Sequence, residues 1–234
     1  MKMTKGFALI VLLASATSLQ ARDLDFNYVQ GTIGIFDLDV DESFDDGTDS
    51  LSIETDDDIS YDAEGAWQPF KGASAWYDNV HFFAAIGATE NDLEVSGTVL
   101  GTPISVDGSI DIFRLRGGVG YGFPVNEQVN LYGRITWDYV ELQDISLGGT
   151  TTDDVDDDGV GFEGGARWLI SDDFELQGYV RYTDVGGLDD DGDADDDLLV
   201  GVNGRWYFAE RWAATVNGEF GDTMLYGAGV RFDF

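Results

Sequence analysis

Ten segments of the chain alternate between apolar and polar residues in steps of two, which is the period of a β-strand. The first is "DFNYVQGTIGIFDL" and the last is the C-terminal "TMLYGAGVRFDF". In the last segment Tyr226, Val230 and Phe234 share one face, whereas Arg231 and Asp233 lie on the other. No stretch beyond the N-terminal twenty or so residues shows a comparable helical period. The pattern therefore predicts an all-β protein with ten antiparallel strands.

The connections between these segments alternate in length. The short ones are "PFKGAS", "PVNEQ", "SDD" and "AER", and the long ones are residues 39–57, 89–108, 143–158 and 184–197. Short turns on one side and long loops on the other are typical of an up-and-down transmembrane β-barrel. An even strand count would place both chain ends on the side of the short turns. A soluble β-sandwich would alternate similarly, but the strand count, the one-sided long loops and the aromatic residues near segment ends favour the membrane barrel.

The polar face of the predicted strands collects seven arginines and seven acidic residues. They are Asp62, Glu64, Arg114, Arg116, Arg134, Asp138, Glu163, Arg167, Glu175, Arg181, Arg205, Glu219, Arg231 and Asp233. An arginine that faced lipid near the middle of the bilayer would cost about 2–4 kcal/mol, so these side chains should point into the barrel. We expect them to form a charge network that neutralises itself and fills the lumen.

A second interpretation of the interior stays open. Gly118, Gly120 and Gly122 share the inward face of one strand, and their missing side chains could leave a narrow polar pore. Rows of arginine would then set the selectivity of a porin-like channel for small solutes.

The N-terminal residues have the three parts of a secretory signal peptide. Lys2 and Lys5 provide positive charge, residues 7–13 form a short apolar core, and small residues follow. Cleavage after Ala21 would leave a barrel domain of residues 22–234, although the sequence Ala-Ser-Ala at residues 14–16 offers an alternative cleavage site. The chain contains no cysteine, which excludes disulfides and thiolate chemistry.

Acidic residues dominate the composition. The formal net charge is −34, and it becomes −36 when Lys2 and Lys5 are removed with the signal peptide. Such a chain repels nucleic acid, which excludes nucleic-acid partners. The four long connections contain 27 acidic residues and neither lysine nor arginine. Solvated acidic loops, suited to saline surroundings, are the simplest interpretation.

One acidic loop is a candidate for binding Ca²⁺. Its candidate ligands are the alternate acids Asp189, Asp191, Asp193 and Asp195. Carboxylate oxygens suit this ion, but the EF-hand pattern needs a glutamate where this chain has Leu198. We expect no cofactor other than weakly bound Ca²⁺.

The signal peptide, the alternating strands and the terminal "YGAGVRFDF" resemble the small bacterial outer-membrane β-barrel proteins of the OmpA-like superfamily. The resemblance implies an integral protein of the Gram-negative outer membrane, a monomer in contact with outer-membrane lipid and lipopolysaccharide. It also implies that Phe234 is the assembly signal read by the barrel-assembly machinery. Members of the superfamily commonly have eight strands, so eight remains the alternative to ten.

The sequence favours a non-catalytic role: a closed or nearly closed scaffold that displays acidic extracellular loops for envelope integrity or surface interaction. The alternative is the narrow channel. His81 is the only histidine, and we expect it near the middle of a strand with no neighbouring serine or aspartate. An omptin-like protease would need a histidine paired with acids at the extracellular rim, and a lipid A-modifying enzyme would need a histidine near a serine. The chain is therefore not predicted to be an enzyme.

Overall fold

The alternating segments form strands of one antiparallel sheet that closes on itself. The computed structural model describes residues 24–38, 41–45, 50–55, 58–73, 76–99, 102–152, 154–188, 194–221 and 223–234. The strands are β1 (Tyr28–Leu38), β2 (Asp41–Asp45), β3 (Ser50–Thr55), β4 (Asp58–Trp67), β5 (Val80–Val99), β6 (Thr102–Pro124), β7 (Val129–Leu147), β8 (Thr150–Thr151), β9 (Val155–Ser171), β10 (Phe174–Leu188), β11 (Ala194–Ala209), β12 (Trp212–Phe220) and β13 (Thr223–Asp233). A 3₁₀ turn, Trp76–Asn79, precedes β5.

Ten of these strands form the barrel, as the sequence predicted. Their order around the wall is β1, β4, β5, β6, β7, β9, β10, β11, β12 and β13. The last strand pairs with the first, from Tyr28 opposite Asp233 to Leu38 opposite Thr223. The eight-stranded alternative is therefore wrong. The barrel has a short-turn end, where Leu24 and Phe234 lie, and a long-hairpin end, where the long connections lie.

The long connections predicted from sequence are residues 39–57, 89–108, 143–158 and 184–197. Their described residues are largely strand, so the prediction of loops was wrong for those residues. The pairing of β5 with β6 continues without interruption to Val99 opposite Thr102. The hairpin of β2 and β3 adds to the side of β5 through β3. Hydrogen bonding between backbones extends these strands beyond the wall, where water replaces lipid and the apolar–polar alternation is no longer required.

The outward face of the barrel is an apolar band. Exposed residues on it include Ile33, Ile86, Ile135, Val180, Val216 and Val230. Aromatic residues lie near the short-turn end, among them Trp67, Trp168, Trp206 and Trp212, and their position matches the girdle expected at a membrane interface. Within the described part of the chain, no helix has the length and apolar content needed to cross a membrane.

Candidate functional site in the barrel lumen

The strand alternation turns all fourteen charged residues predicted for the interior toward the lumen. Thirteen of them take part in ion pairs with one another. The pairs are Arg114–Asp62, Arg116–Glu64, Arg116–Glu163, Arg134–Glu64, Arg134–Glu163, Arg167–Glu175, Arg205–Glu175, Arg181–Glu219 and Arg231–Asp233. The fourteenth, Asp138, has no such pair among the described residues.

Glu175 organises the charges nearest the short-turn end. Its side chain is completely buried, and Arg167 Nε donates to its Oε1 at 2.7 Å. Arg205 donates to the same oxygen, and the Tyr207 hydroxyl donates to Oε2 at 3.0 Å. Two guanidinium groups and a hydroxyl thus compensate one buried carboxylate. Such compensation is what a buried charge requires, since an unpaired one costs several kcal/mol.

Arg134 and Arg116 share two glutamates in the middle of the lumen. Arg134 Nη1 lies 3.3 Å from both Glu64 Oε1 and Glu163 Oε1. Arg116 approaches the same two glutamates at 3.8 and 3.6 Å. The Tyr28 hydroxyl also donates to Glu64, at 2.5 Å. Glu64 lies on β4 and Glu163 on β9, with β5, β6 and β7 between them in the wall. The two arginines, on β6 and β7, therefore link strands that are not adjacent in the sheet.

Two separate pairs lie nearer the long-hairpin end. Arg114 Nη2 donates to Asp62 Oδ1 at 3.1 Å and to the Ser60 hydroxyl at 2.7 Å. Arg181 Nη2 donates to Glu219 Oε1 at 2.7 Å. Both pairs are less buried than the Glu175 group, which places them closer to the open mouth of the barrel.

An apolar cluster closes the short-turn end. It consists of Phe26, Tyr28, Ala66, Phe83 and Tyr132, with Tyr179 packed against it. Phe26 precedes β1 and is almost completely buried. Its ring stacks on that of His81, with centroids 3.8 Å apart and planes 4° apart. Phe26 belongs to the first alternating segment of the sequence, but that alternation did not predict its burial at the mouth of the barrel.

The segment that carries Phe26 is tied to the barrel by polar contacts. Phe26 N–H donates to Gln68 Oε1 at 3.2 Å, and the Gln68 backbone N–H donates to Asn27 Oδ1 at 2.8 Å. Asn130 donates to the backbone carbonyl of Leu24 at 3.2 Å, and Arg167 donates to that of Asp25. The residues just before β1 thus form a plug at the short-turn mouth.

The placement of His81 corrects the sequence prediction. It is the second residue of β5 and lies at the short-turn end, not near mid-strand, because the 3₁₀ turn takes the place of the predicted strand start. The side chain is fully buried, and Arg134 Nε donates to its Nε2 at 3.3 Å. Nε2 accepts that bond, Phe26 covers the ring, and Nδ1 is buried, so neither nitrogen of His81 is exposed to the lumen or to solvent.

A second apolar cluster lies inside the barrel toward the long-hairpin end. Phe36, Ile110 and Ile112 are buried there, with Val140, Leu142, Ile145 and Leu225 packed against them. The guanidinium of Arg114 lies over the Phe36 ring, 4.3 Å from its centroid. The charge network is therefore bounded by apolar side chains on both sides. Ile110 and Ile112 have the same parity as Arg114, so their inward direction was predictable, but their clustering was not.

Neighbouring side chains fill the space beside the inward glycines of β6. A Cβ at Gly120 would lie 2.3 Å from His81 Nε2, and one at Gly118 would lie 3.0 Å from the Phe83 ring. A Cβ at Gly122 would lie 3.2 Å from the Phe26 ring. These glycines therefore make room for neighbouring rings and, at Gly118, also for the backbone carbonyl of Ile135.

Two other predicted sites have different outcomes. Phe234 lies at the short-turn end with its side chain half exposed, and its N–H donates to the Asn27 carbonyl at 3.1 Å. Asp189, Asp191 and Asp193 lie outside the described residues, and Asp195 lies in β11, whose backbone alone is described there. Ca²⁺ binding by these residues stays a prediction. Among the residues with described positions, no group of three or more histidine and acidic side chains could hold a metal ion.

The comparisons with known proteins agree with this architecture. The family model described as "Outer membrane protein beta-barrel domain" matches residues 7–206. No curated protein matches the sequence. Among solved structures, the outer membrane protease OmpT from Escherichia coli has a TM-score of 0.50 and 10% identity, covering 93% of this chain and 100% of that chain. OprG from Pseudomonas aeruginosa has a TM-score of 0.47 and 14% identity, covering 88% and 94%. At such identities the likeness concerns the fold alone.

Proposed function

Because the chain belongs to the outer membrane protein β-barrel domain family, whose barrels reside in the bacterial outer membrane, we propose that it is a non-catalytic barrel with a closed lumen. In this proposal the barrel is a rigid monomeric scaffold that holds an acidic surface outside the cell. The long-hairpin end would face the exterior, and the short-turn end would face the periplasm. Its role would be envelope integrity or surface interaction.

The observation that carries the closed lumen is the layered filling of the barrel. Phe26 and its cluster occupy one end, Phe36 and its cluster lie toward the other, and the arginine–acid pairs fill the space between. Small barrels have interiors just wide enough to be filled by side chains. The inward glycines of β6, which the sequence offered as evidence for a pore, are covered by His81 and its neighbours. This supports a closed scaffold rather than a channel.

Planar-bilayer conductance tests the proposal. Purified wild-type protein in a lipid bilayer should give no discrete openings. A variant with Phe26→Gly and Glu175→Gln, which removes the plug and the buried carboxylate, serves as the positive control for conduction through a loosened lumen. Stable, discrete openings of the wild-type protein would overturn the closed scaffold in favour of the narrow porin-like channel.

The environment of His81 supports a non-catalytic role. A general base needs a nitrogen within reach of the proton that it removes, whereas here Nε2 accepts from Arg134 and the ring is covered by Phe26. We expect no hydrolysis of lipid A or peptides by the purified barrel. Activity that disappears in the His81→Ala variant would contradict this proposal.

We propose that the acidic surface contacts lipopolysaccharide and binds Ca²⁺ weakly. Bridging by a divalent cation would allow carboxylates to lie beside the phosphates of the lipid, which carry the same sign of charge. Calorimetric titration with Ca²⁺ compares the wild type with a variant in which Asp189, Asp191, Asp193 and Asp195 become asparagine. Heat at millimolar Ca²⁺ in the wild type alone is the expected result, and equal heat in both proteins would exclude this loop.

Phe234 is proposed to be the signal for assembly. Its half-exposed ring contributes little to the lumen, so its removal should lower the amount of barrel in the outer membrane without preventing refolding in detergent. Phe234→Tyr is the control that keeps the aromatic ring. Normal membrane insertion of a chain that ends at Asp233 would rule out this role.

A further inference from the structure

Asp138 on β7 is buried in an unusual way for a carboxylate in this lumen. Its Oδ2 accepts hydrogen bonds from the hydroxyls of Thr136 and Thr183, at 3.0 and 2.8 Å. Its Oδ1 is inaccessible to solvent and has no hydrogen-bond partner among the described residues. The residue is only 7% exposed, and both threonines are more buried still. One oxygen of a buried anion therefore lacks a partner in the part of the chain that the structure describes.

The nearest arginine in the sheet does not compensate this carboxylate. Arg116 lies directly opposite Asp138 in the register of β6 and β7. Its guanidinium instead approaches Glu64 and Glu163, at 3.8 and 3.6 Å. The seven interior arginines thus pair with six of the seven interior acids, and two of them converge on Glu175. The surplus positive charge therefore lies at Glu175, and the negative charge of Asp138 has no compensating ion pair beside it among the described residues.

We propose that Asp138, Thr136 and Thr183 bind one monovalent metal cation of the Na⁺ or K⁺ class. A buried carboxylate requires a compensating positive charge. The threonine hydroxyls direct their protons at Oδ2, which leaves their oxygen lone pairs available beside the carboxylate. All three side chains offer hard oxygen ligands, and a single carboxylate balances a single positive charge. Ca²⁺ takes six to eight oxygens and commonly several carboxylates, so it fits this group less well.

The backbone of β9 and β10 completes the surroundings of these oxygens. A Cβ at Gly161 would lie 2.3 Å from Thr136 Oγ1 and 2.5 Å from Asp138 Oδ2. The carbonyl oxygen of Tyr182 would lie 2.9 Å from the same Cβ. A glycine at position 161 therefore keeps side-chain atoms away from the oxygens, and it leaves a backbone carbonyl beside them.

The path to the site would start at the long-hairpin end. Gly159 lies opposite Asp138 in the register, and Asp157 lies opposite Val140, one inward position nearer that end. Asp157 is half-buried, and its negative charge would favour the entry of a cation. Binding requires access from one side only, so this inference goes beyond the closed scaffold and does not depend on conduction.

Anomalous X-ray diffraction can locate the ion directly. Crystals of the wild-type barrel soaked with Tl⁺, a heavy substitute for K⁺, should show an anomalous peak within about 3 Å of Asp138 Oδ1. The isosteric variant Asp138→Asn, which still accepts from both threonines, should lose the peak. Asp158→Asn, which removes an exposed carboxylate from the outer surface, should keep it. A water molecule without anomalous signal at this position in the wild type would overturn the proposal.

Thermal unfolding in detergent gives an independent test in solution. The wild-type Tm should be about 2–4 °C higher in NaCl or KCl than in N-methylglucamine chloride of equal ionic strength, because an ion that binds only the folded state stabilises it. Thr183→Val, which removes one oxygen ligand and keeps the carboxylate, should reduce the difference, and Asp138→Asn should abolish it. Equal Tm values for the wild type in these salts would contradict the site, as would a dependence on pH alone, which would indicate a protonated Asp138.

Discussion

Carboxylates are paired with arginines in the lumen but not at the surface of the long-hairpin end. Inside, six of the seven acids predicted for the lumen lie within ion-pair distance of an arginine. By contrast, the four long stretches that the sequence marks as acidic contain 27 carboxylates and no basic residue. Asp92, Glu94 and Asp156, for example, are exposed. A carboxylate needs a partner where water is excluded, whereas water and its ions suffice at the surface.

The largest expected difference between the two regions comes from neutralising one carboxylate in each. Glu175→Gln leaves Arg167 and Arg205 buried without their shared partner, so the barrel should lose about 3–5 kcal/mol of unfolding free energy. Glu94→Gln, on the exposed side, should change it by less than about 0.5 kcal/mol. Urea unfolding in lipid vesicles measures both. Similar losses in the two variants would remove the distinction between lumen and surface.

A double-mutant cycle sharpens the comparison at intermediate burial. The side chains of Arg181 and Glu219 are 16% and 14% exposed, whereas those of Lys71 and Asp25, at the short-turn surface, are 44% and 20% exposed. Methionine replaces the basic residue of each pair, glutamine replaces Glu219 and asparagine replaces Asp25. The two single variants and the double variant of each pair then give its coupling energy. We expect about 1–3 kcal/mol for the inner pair and below about 1 kcal/mol for the outer one. An outer coupling as large as the inner one would show that burial does not set these energies.

The smallest expected effect concerns a pair of like charges at the surface. Asp111 lies on the outward face of β6, beyond the apolar band, and partial burial together with the nearby Asp144 raises its pKa. A carboxyl with a raised folded-state pKa favours folding below its unfolded pKa, and this contribution disappears as the pH rises through the folded value. Asp111→Asn should therefore stabilise the protein slightly at neutral pH and flatten the acidic part of its stability profile. NMR titration of the Asp111 carboxyl measures the shift, and an unshifted or lowered pKa would contradict the expectation.

Much of the wall of the barrel was predictable from alternation alone. Because side chains on a strand point alternately to its two faces, the placement of Arg134 inward also placed Ile135 outward. The same parity located Arg116, Glu163 and Glu175 in the lumen. Strand count and strand order followed from ten such segments joined by turns.

The contents of the lumen were less predictable, because alternation assigns a face but not a partner. Nothing in the spacing distinguishes Asp138, which has no arginine, from Glu163, which has two. The role of Phe26 was missed because its place in the first alternating segment does not indicate that its ring stacks on His81. The long hairpins were missed because strands surrounded by water need no apolar face, so their sequences resemble loops.

The pairing of β1 with β13 has a consequence for the order of folding. Apart from the pairings that involve the small β2–β3 hairpin and β8, the other nine contacts around the wall join barrel strands that follow one another along the chain, so each can form as soon as its second strand is exported. The tenth joins residue 28 to residue 233 and must wait for nearly the whole polypeptide. Until then two unpaired strand edges persist, and Arg231 on the last strand is not yet enclosed by the first. Closure of the barrel is thus a single late event. Removing the last strand from the chain should leave an open sheet rather than a smaller barrel.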